Sequence, residues 1–191
     1  MVGTINTSIK RLETEGATFR LRKIALDKLR NDAIQKQISL NTLANQIFEQ
    51  YLDYNANAAK AGIIGFPKVL LIKLIDNLSE EEIVQIAQNI ATTQVKDMVF
   101  LLKGKYTIES FLAVVESWIR ASGFPFKHEI NGTRHLYIIQ HDLNKKWSLY
   151  LSKLFEFVME DLIERRPIFQ ISNNSIVFEV DTEKHDWISY S

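Results

Sequence analysis

The chain has 191 residues, of which 46% are hydrophobic and 24% are charged, and its formal net charge is zero. This balance is typical of a globular protein rather than a disordered one. The sequence contains no cysteine, which excludes disulfides, thiolate metal ligands and cysteine nucleophiles. The N-terminal residues lack the apolar core of a signal peptide, and no apolar run approaches the roughly 20 residues that span a bilayer. We therefore expect a cytoplasmic protein with no membrane partner.

The basic residues are concentrated near the N-terminus. Residues 17–38 hold six Lys or Arg and two Asp or Glu, whereas residues 61–191 hold 14 and 17. A basic cluster of this kind, doubled in a dimer, suits a polyanionic partner.

A short segment within this basic region alternates polar and apolar residues, as a β-strand does. Successive side chains of a strand point to opposite faces. Thr18, Arg20 and Arg22 would therefore share one face, and Phe19 and Leu21 the other.

Two helices are predicted after this strand. In the first helix, Leu26, Leu29 and Ala33 recur at helical spacing, and Ser39 is a good N-cap for the second. The apolar stripe of the second helix follows the same spacing and consists of Leu40, Leu43, Ala44, Ile47, Phe48, Tyr51 and Leu52.

A strand and two helices of fewer than 40 residues cannot close a hydrophobic core alone, and a single strand leaves two unpaired edges. A second copy of the chain solves both problems, because two strands pair antiparallel and four helices share one core. The residues predicted for this dimer core are Phe19, Leu21, Leu29, Leu43 and Ile47.

This pattern resembles the ribbon-helix-helix family of dimeric DNA-binding repressors, over residues 17–54 only. The resemblance rests on the sequence F-R-L-R from Phe19, on Ala33 after the L-x-x-L of the first helix, and on S-L-N-T-L from Ser39. The chain departs from the family at the turn, where Gln37 and Ile38 stand and a glycine is frequent. It also lacks a proline at the start of the first helix.

The resemblance implies the residues that contact DNA. A two-stranded ribbon fits the major groove, where Arg can bond bidentately to guanine, and a helix N-terminus suits a phosphate. The expected base contacts are Thr18, Arg20 and Arg22. The expected phosphate contacts are Ser39, Asn41 and Lys23.

The rest of the chain predicts an α+β domain with an antiparallel sheet of two hairpins. A short, nearly all-apolar helix after Pro67 implies burial, and Ser79 with Glu82 forms a capping box. Thr107 caps a further helix that ends at Gly123. The expected organisation is a flexible arm at 1–16, the ribbon-helix-helix domain at 17–54, a linker at 55–66, the α+β domain at 67–180 and a polar tail at 181–191.

Two hairpins frame a long helix in this domain. Asn131 and Gly132 predict the turn of the first hairpin. Asp142 or Asn144 caps the helix, which is expected at Lys145–Arg165. The second hairpin turns at residues 173–174.

The first hairpin carries histidines. A two-residue loop at Asn131 and Gly132 places His128 opposite His135 and Glu129 opposite Arg134, the latter as a surface ion pair. Nickel-responsive repressors also join a ribbon-helix-helix to a histidine-bearing α+β domain. That likeness is architectural only, so we expect no metal and retain His128 and His135 as the candidate ligands.

No pattern in the sequence indicates an enzyme or a cofactor. His141 and Asp142 near Ser148 have the composition of a catalytic triad, but an Asp adjacent to a His on a strand points away from it. The favoured reading is a homodimeric transcriptional regulator that binds an operator, an inverted repeat of double-stranded DNA, with a C-terminal domain for effector sensing or assembly. The alternatives are a dimeric interaction or scaffold protein that does not bind DNA, and an antitoxin of the same family.

Overall fold

The computed structural model describes residues 14–163 and 167–182. By its internal contacts the chain divides into two compact units, Met1–Asn45 and Gln46–Ser191. The division falls inside a helix, whereas the sequence predicted a linker at 55–66. The start of that segment is helical in the structure, up to Ala58. Most of the predicted arm and of the predicted tail lies outside the described residues.

The first unit contains two helices in the positions that the sequence predicted. Helix α1 spans Lys23–Gln35, and helix α2 begins at Leu40 and ends at Gln50, beyond the boundary between the units. Residues 14–22 belong to no helix or strand, so the strand predicted at 18–22 is not formed. A strand requires hydrogen bonds from a neighbouring strand, and the described part of this chain offers it none.

The second unit is built from helices and one antiparallel sheet, which confirms the α+β class. After α2 the chain continues as a π-helical turn at Tyr51–Asn55, and a second π-helical turn lies at Ala91–Val95. The helices are α3 at Ala56–Ala58, α4 at Lys68–Asp76, α5 at Glu80–Ile90, α6 at Lys96–Lys103, α7 at Ile108–Ala121 and α8 at Lys145–Leu162. The strands are β1 at Phe126–Asn131, β2 at Arg134–Gln140, β3 at Ile168–Ile171 and β4 at Ser175–Asp181.

The sheet has the order β1-β2-β4-β3, with every neighbouring pair antiparallel. Alternate residues of the central strands are fully buried, among them Tyr137, Ile139 and Phe178. Phe155 of α8 packs edge-on against Phe178 of β4 and against Phe111 of α7, each at 5.7 Å between ring centroids. The core of this unit therefore lies between one face of the sheet and the helices α7 and α8.

Side-chain caps fix the ends of the helices as the sequence predicted. Ser79 and Glu82 form the capping box, with Ser79 Oγ accepting from the Glu82 N–H and Glu82 Oε2 accepting from the Ser79 N–H. Thr107 caps α7, and Asn144 rather than Asp142 caps α8. Gly123, with φ of +66°, follows the end of α7 in the left-handed conformation that glycine adopts without strain.

Helix α4 is less buried than its sequence implied. Val69 is 62% exposed and Leu74 58% exposed, and only Ile75 of this helix is buried. Its C-terminal end is held instead by polar contacts, because Lys146 Nζ donates to the carbonyl oxygens of Asp76 and Leu78. An apolar composition therefore indicated a helix here but not its burial.

The first hairpin has a different register from the predicted one. Its central residues are Gly132 and Thr133, so that Asn131 pairs with Arg134 and His128 with Tyr137. Only Gly132, at φ +63°, has positive φ in this loop, whereas the type I′ turn expected at Asn131 and Gly132 needs positive φ at both central residues.

Candidate nucleic-acid interface

The residues expected to contact DNA bases lie directly before α1. Thr18, Arg20 and Arg22 are all exposed. The backbone of Arg22 is extended, with φ −62° and ψ 139°, and its carbonyl accepts the N–H groups of Ala25 and Leu26. Helix α1 thus fixes the main chain of Arg22 while its guanidinium remains in solvent.

Ion pairs with Arg30 and with the C-cap residue Lys36 occupy the acidic side chains of α1. Asp27 pairs with Arg30 at 3.3 Å, and Asp32 pairs with Lys36 at 2.9 Å. In the described residues of this unit, no ion pair joins Arg20, Arg22 or Lys23 to a carboxylate. The positive charge that precedes α1 is therefore not neutralised locally, as a surface for phosphates requires.

Ser39 and Asn41, the residues at the start of α2 that are expected to contact phosphate, are exposed, and the Ser39 side chain caps the helix. Ser39 Oγ accepts from the Thr42 N–H at 2.9 Å and is hydrogen-bonded to Thr42 Oγ1 at 2.7 Å. Asn41 is exposed beside it. The cap satisfies one N–H group of the first turn and leaves others for an acceptor outside the chain.

The turn between α1 and α2 contains a residue in the left-handed conformation. Gln37 has φ of +55°, in the left-handed region that costs a residue with a side chain roughly 1 kcal/mol. The turn therefore has a left-handed backbone at a residue that is not glycine.

The predicted dimer core is mostly exposed in the single chain. Leu43 is 2% exposed, whereas Phe19 is 62%, Leu21 49% and Ile47 41% exposed, and Leu29 is half-buried. Among residues 14–45, only Leu43 and Ala33 are buried. One copy of this unit thus buries little apolar surface.

His128 and His135 meet as predicted, although not as opposite residues. His128 pairs with Tyr137 across β1 and β2, and the two imidazoles lie diagonally, with 2.9 Å between His128 Nε2 and His135 Nδ1. Burial, and then the neighbouring His128, lower the pKa of His135. No group of three or more His, Asp or Glu side chains in the described residues could hold a metal ion.

The partners of this histidine pair were not predicted from the sequence. Glu116 Oε1 on α7 lies 2.7 Å from His128 Nδ1 and accepts a 2.9 Å hydrogen bond from the Tyr137 hydroxyl. Tyr137 has the strand parity of His135, which was a usable signal for its position. Glu116 had none, because its contact joins a helix to a sheet. The predicted Glu129–Arg134 pair is wrong: Glu129 pairs with Lys127, and Arg134 lies 3.8 Å from Asp181.

His141 and Ser148 are hydrogen-bonded, but they do not form a catalytic triad with Asp142. His141 Nδ1 accepts from the Leu143 N–H at 3.1 Å, and His141 Nε2 lies 2.9 Å from Ser148 Oγ. Ser148 in turn donates to the carbonyl oxygen of Ser172 at 2.6 Å. Both His141 and Ser148 are 0% exposed.

The chain has no match among the protein-family models, the curated proteins or the solved structures with which it was compared. No helix within residues 14–163 and 167–182 has the length and apolar character needed to cross a membrane.

Proposed function

We propose that the protein is a sequence-specific DNA-binding transcriptional regulator that acts as a homodimer. Residues 17–54 of two copies form the DNA-binding domain, and the α+β unit serves assembly or effector sensing. The observation that carries this proposal is the segment before α1, where exposed arginines alternate with exposed apolar residues. One chain leaves both kinds of residue in water.

A second copy would bury the apolar half of this segment. Leu21 is 49% exposed, and Ile24 and Ile34 of α1 are 65% and 72% exposed. Burial of apolar surface contributes about 25 cal/mol per Å², so these residues favour self-association. Paired in a ribbon, Leu21 of each chain would face the shared core and Arg20 and Arg22 would face the groove.

The charges support a nucleic acid as the partner of the other face. Four arginines per dimer, two from each chain, would enter one groove. Each bidentate contact between an arginine and a guanine contributes about 1–3 kcal/mol of discrimination. The acidic residues of α1 do not compete for them, because Asp27 is paired with Arg30 and Asp32 with Lys36.

The experiment is selection of DNA from a random pool with the full chain, followed by titration of two double variants. Arg20→Ala with Arg22→Ala should abolish preference for the selected sequence and leave the dimer folded. Arg30→Ala with Lys36→Ala removes the same charge from the same unit, but from side chains that form ion pairs, and should retain the preference. Equal losses in the two variants would contradict the proposed base contacts.

The second candidate is a dimeric interaction protein, which the same exposed apolar residues favour. Salt dependence separates the two functions, because displacement of condensed counterions makes DNA affinity fall steeply as salt rises. Steep salt dependence of binding to random DNA supports the regulator. A stable dimer that binds no DNA at low salt would favour the interaction protein.

A further inference from the structure

The second unit contains a charged cleft of about 660 Å³. It lies against the last turns of α2, the π-helical turn at Tyr51–Asn55, the end of α6 and one face of α7. Its volume is within the range of about 300–1,000 Å³ that is typical of small-ligand sites. The charged side chains that line it are Glu49, Asp53, Lys103, Glu116 and Arg120.

Neither cation of the cleft lies within hydrogen-bonding distance of the carboxylate beside it. Lys103 Nζ lies 3.7 Å from Asp53 Oδ1, and Arg120 Nη2 lies 3.6 Å from Glu116 Oε2. Both separations exceed a hydrogen bond. The Lys103 side chain is 21% exposed and the Arg120 side chain is 63% exposed. An oxygen ligand in the cleft would form charge-assisted hydrogen bonds with these two cations in place of water.

Two side chains of the sheet fix the orientation of one carboxylate of the cleft, that of Glu116. Glu116 Oε1 accepts from the hydroxyl of Tyr137, which is 1% exposed, and from His128 Nδ1. A surface ion pair needs no such support. Orientation of a charged group by buried partners is the arrangement that gives a binding site its geometry before the ligand arrives.

The backbone at the cleft is also unusual. Asp53 and Tyr54 come from the π-helical turn that follows α2. Single π-helical turns inside α-helices are frequent at functional sites. Burial raises the pKa of Tyr54, which keeps its hydroxyl a neutral donor or acceptor beside the cleft.

We propose that this cleft binds a small zwitterion of the α-amino acid class. The ligand's carboxylate would lie at Lys103 and Arg120, and its ammonium at Asp53, Glu49 and the fixed Glu116. Each cation of the cleft lies beside a carboxylate, Lys103 beside Asp53 and Arg120 beside Glu116. A ligand with a single charge would meet a like charge at either pair, whereas a zwitterion offers both signs. The proposal does not rest on DNA binding, and its test uses no DNA.

The test is isothermal titration of the full chain with each of the common α-amino acids in turn. The single-charge controls are ethylamine and propionate, which carry only the ammonium or only the carboxylate that L-alanine combines. We expect saturable heat with one or more amino acids and none with either control. No heat with any amino acid, or equal binding of a control, would overturn the proposal.

Variants then locate the bound ligand. Lys103→Gln and Arg120→Gln should each weaken binding about tenfold to a hundredfold, which is the effect of losing a hydrogen bond to a charged group. Lys105→Gln is the matched control, because Lys105 is exposed and does not line the cleft. The Arg120 and Asp53 side chains are 63% and 62% exposed, so Arg120→Gln and Asp53→Asn test the site without threatening the fold. Affinities unchanged in these two variants would place the ligand elsewhere.

Discussion

His141 and Ser148 are hydrogen-bonded inside the second unit, with 2.9 Å between the imidazole Nε2 and the hydroxyl oxygen. Because His141 Nδ1 accepts from a backbone N–H, the proton of the neutral ring is on Nε2 and is donated to Ser148. Ser148 then donates to the Ser172 carbonyl. This relay joins the end of β2, helix α8 and the β3–β4 loop, and every polar atom in it has a partner.

Loss of the serine hydroxyl should destabilise the fold. Ser148→Ala leaves His141 Nε2–H and the Ser172 carbonyl without this partner in a buried position, at a cost of about 1–3 kcal/mol. The measurement is urea unfolding followed by circular dichroism. Ser152→Ala is the matched control on the same helix, because Ser152 is also buried but donates only to the Leu149 carbonyl within α8. A control as costly as Ser148→Ala would refute the role of the relay.

The same relay predicts acid sensitivity. Burial lowers the pKa of His141, with nearby Lys68 acting in the same direction and Asp142 against it. In the unfolded chain the imidazole titrates near its ordinary pKa of 6.5. Above this pH the ring is neutral in both states. As the pH falls below 6.5, His141 binds a proton in the unfolded state but stays neutral in the native state. The free energy of unfolding therefore decreases until the pH reaches the lower native pKa.

The pH dependence is isolated by comparing slopes. One proton corresponds to at most about 1.4 kcal/mol per pH unit. His141→Asn should reduce the slope of unfolding free energy against pH between about 6.5 and 5 by up to this amount, whatever its effect on stability at neutral pH. Identical slopes for the variant and the original chain would show that His141 does not titrate between the two states.

The left-handed residue between α1 and α2 gives a prediction of the opposite sign. Gln37→Gly should stabilise the chain by about 0.5–1 kcal/mol, because glycine adopts positive φ without strain. Lys36→Gly is the control one residue earlier, at φ −83°. It should destabilise, because glycine brings an entropic cost there and also removes the exposed ion pair with Asp32. Thermal unfolding of the two variants measures the difference. Destabilisation by both would mean that the turn is not left-handed in solution.

The proposed dimer predicts a charge-sensitive position before α1. Leu21→Asp should shift the chain from dimer to monomer, because a carboxylate would be buried in the shared core. Thr18→Asp adds the same charge on the polar side of the same segment and should leave the dimer intact. Sedimentation velocity at several concentrations distinguishes the two species. A dimer that survives Leu21→Asp would place the interface elsewhere.

Local signals in the sequence determined the start of four helices. Ser39, Ser79, Thr107 and Asn144 each cap through a residue three positions away, so their caps are readable without a fold. The α+β class followed from the order of helices and hairpins in the same way.

Only the tertiary structure decided the features that depend on distant residues. The hairpin turns at residues 132–133, one residue later than predicted, so His128 pairs with Tyr137 and not with His135. The contact between Glu116 and Tyr137 joins a helix to a sheet, and no local pattern encodes such a distance. The charged cleft likewise assembles Asp53 and Lys103 from separate helical segments. Local hydrogen bonds depend on residues that are close together in the sequence, whereas packing across the core depends on how whole helices and strands meet.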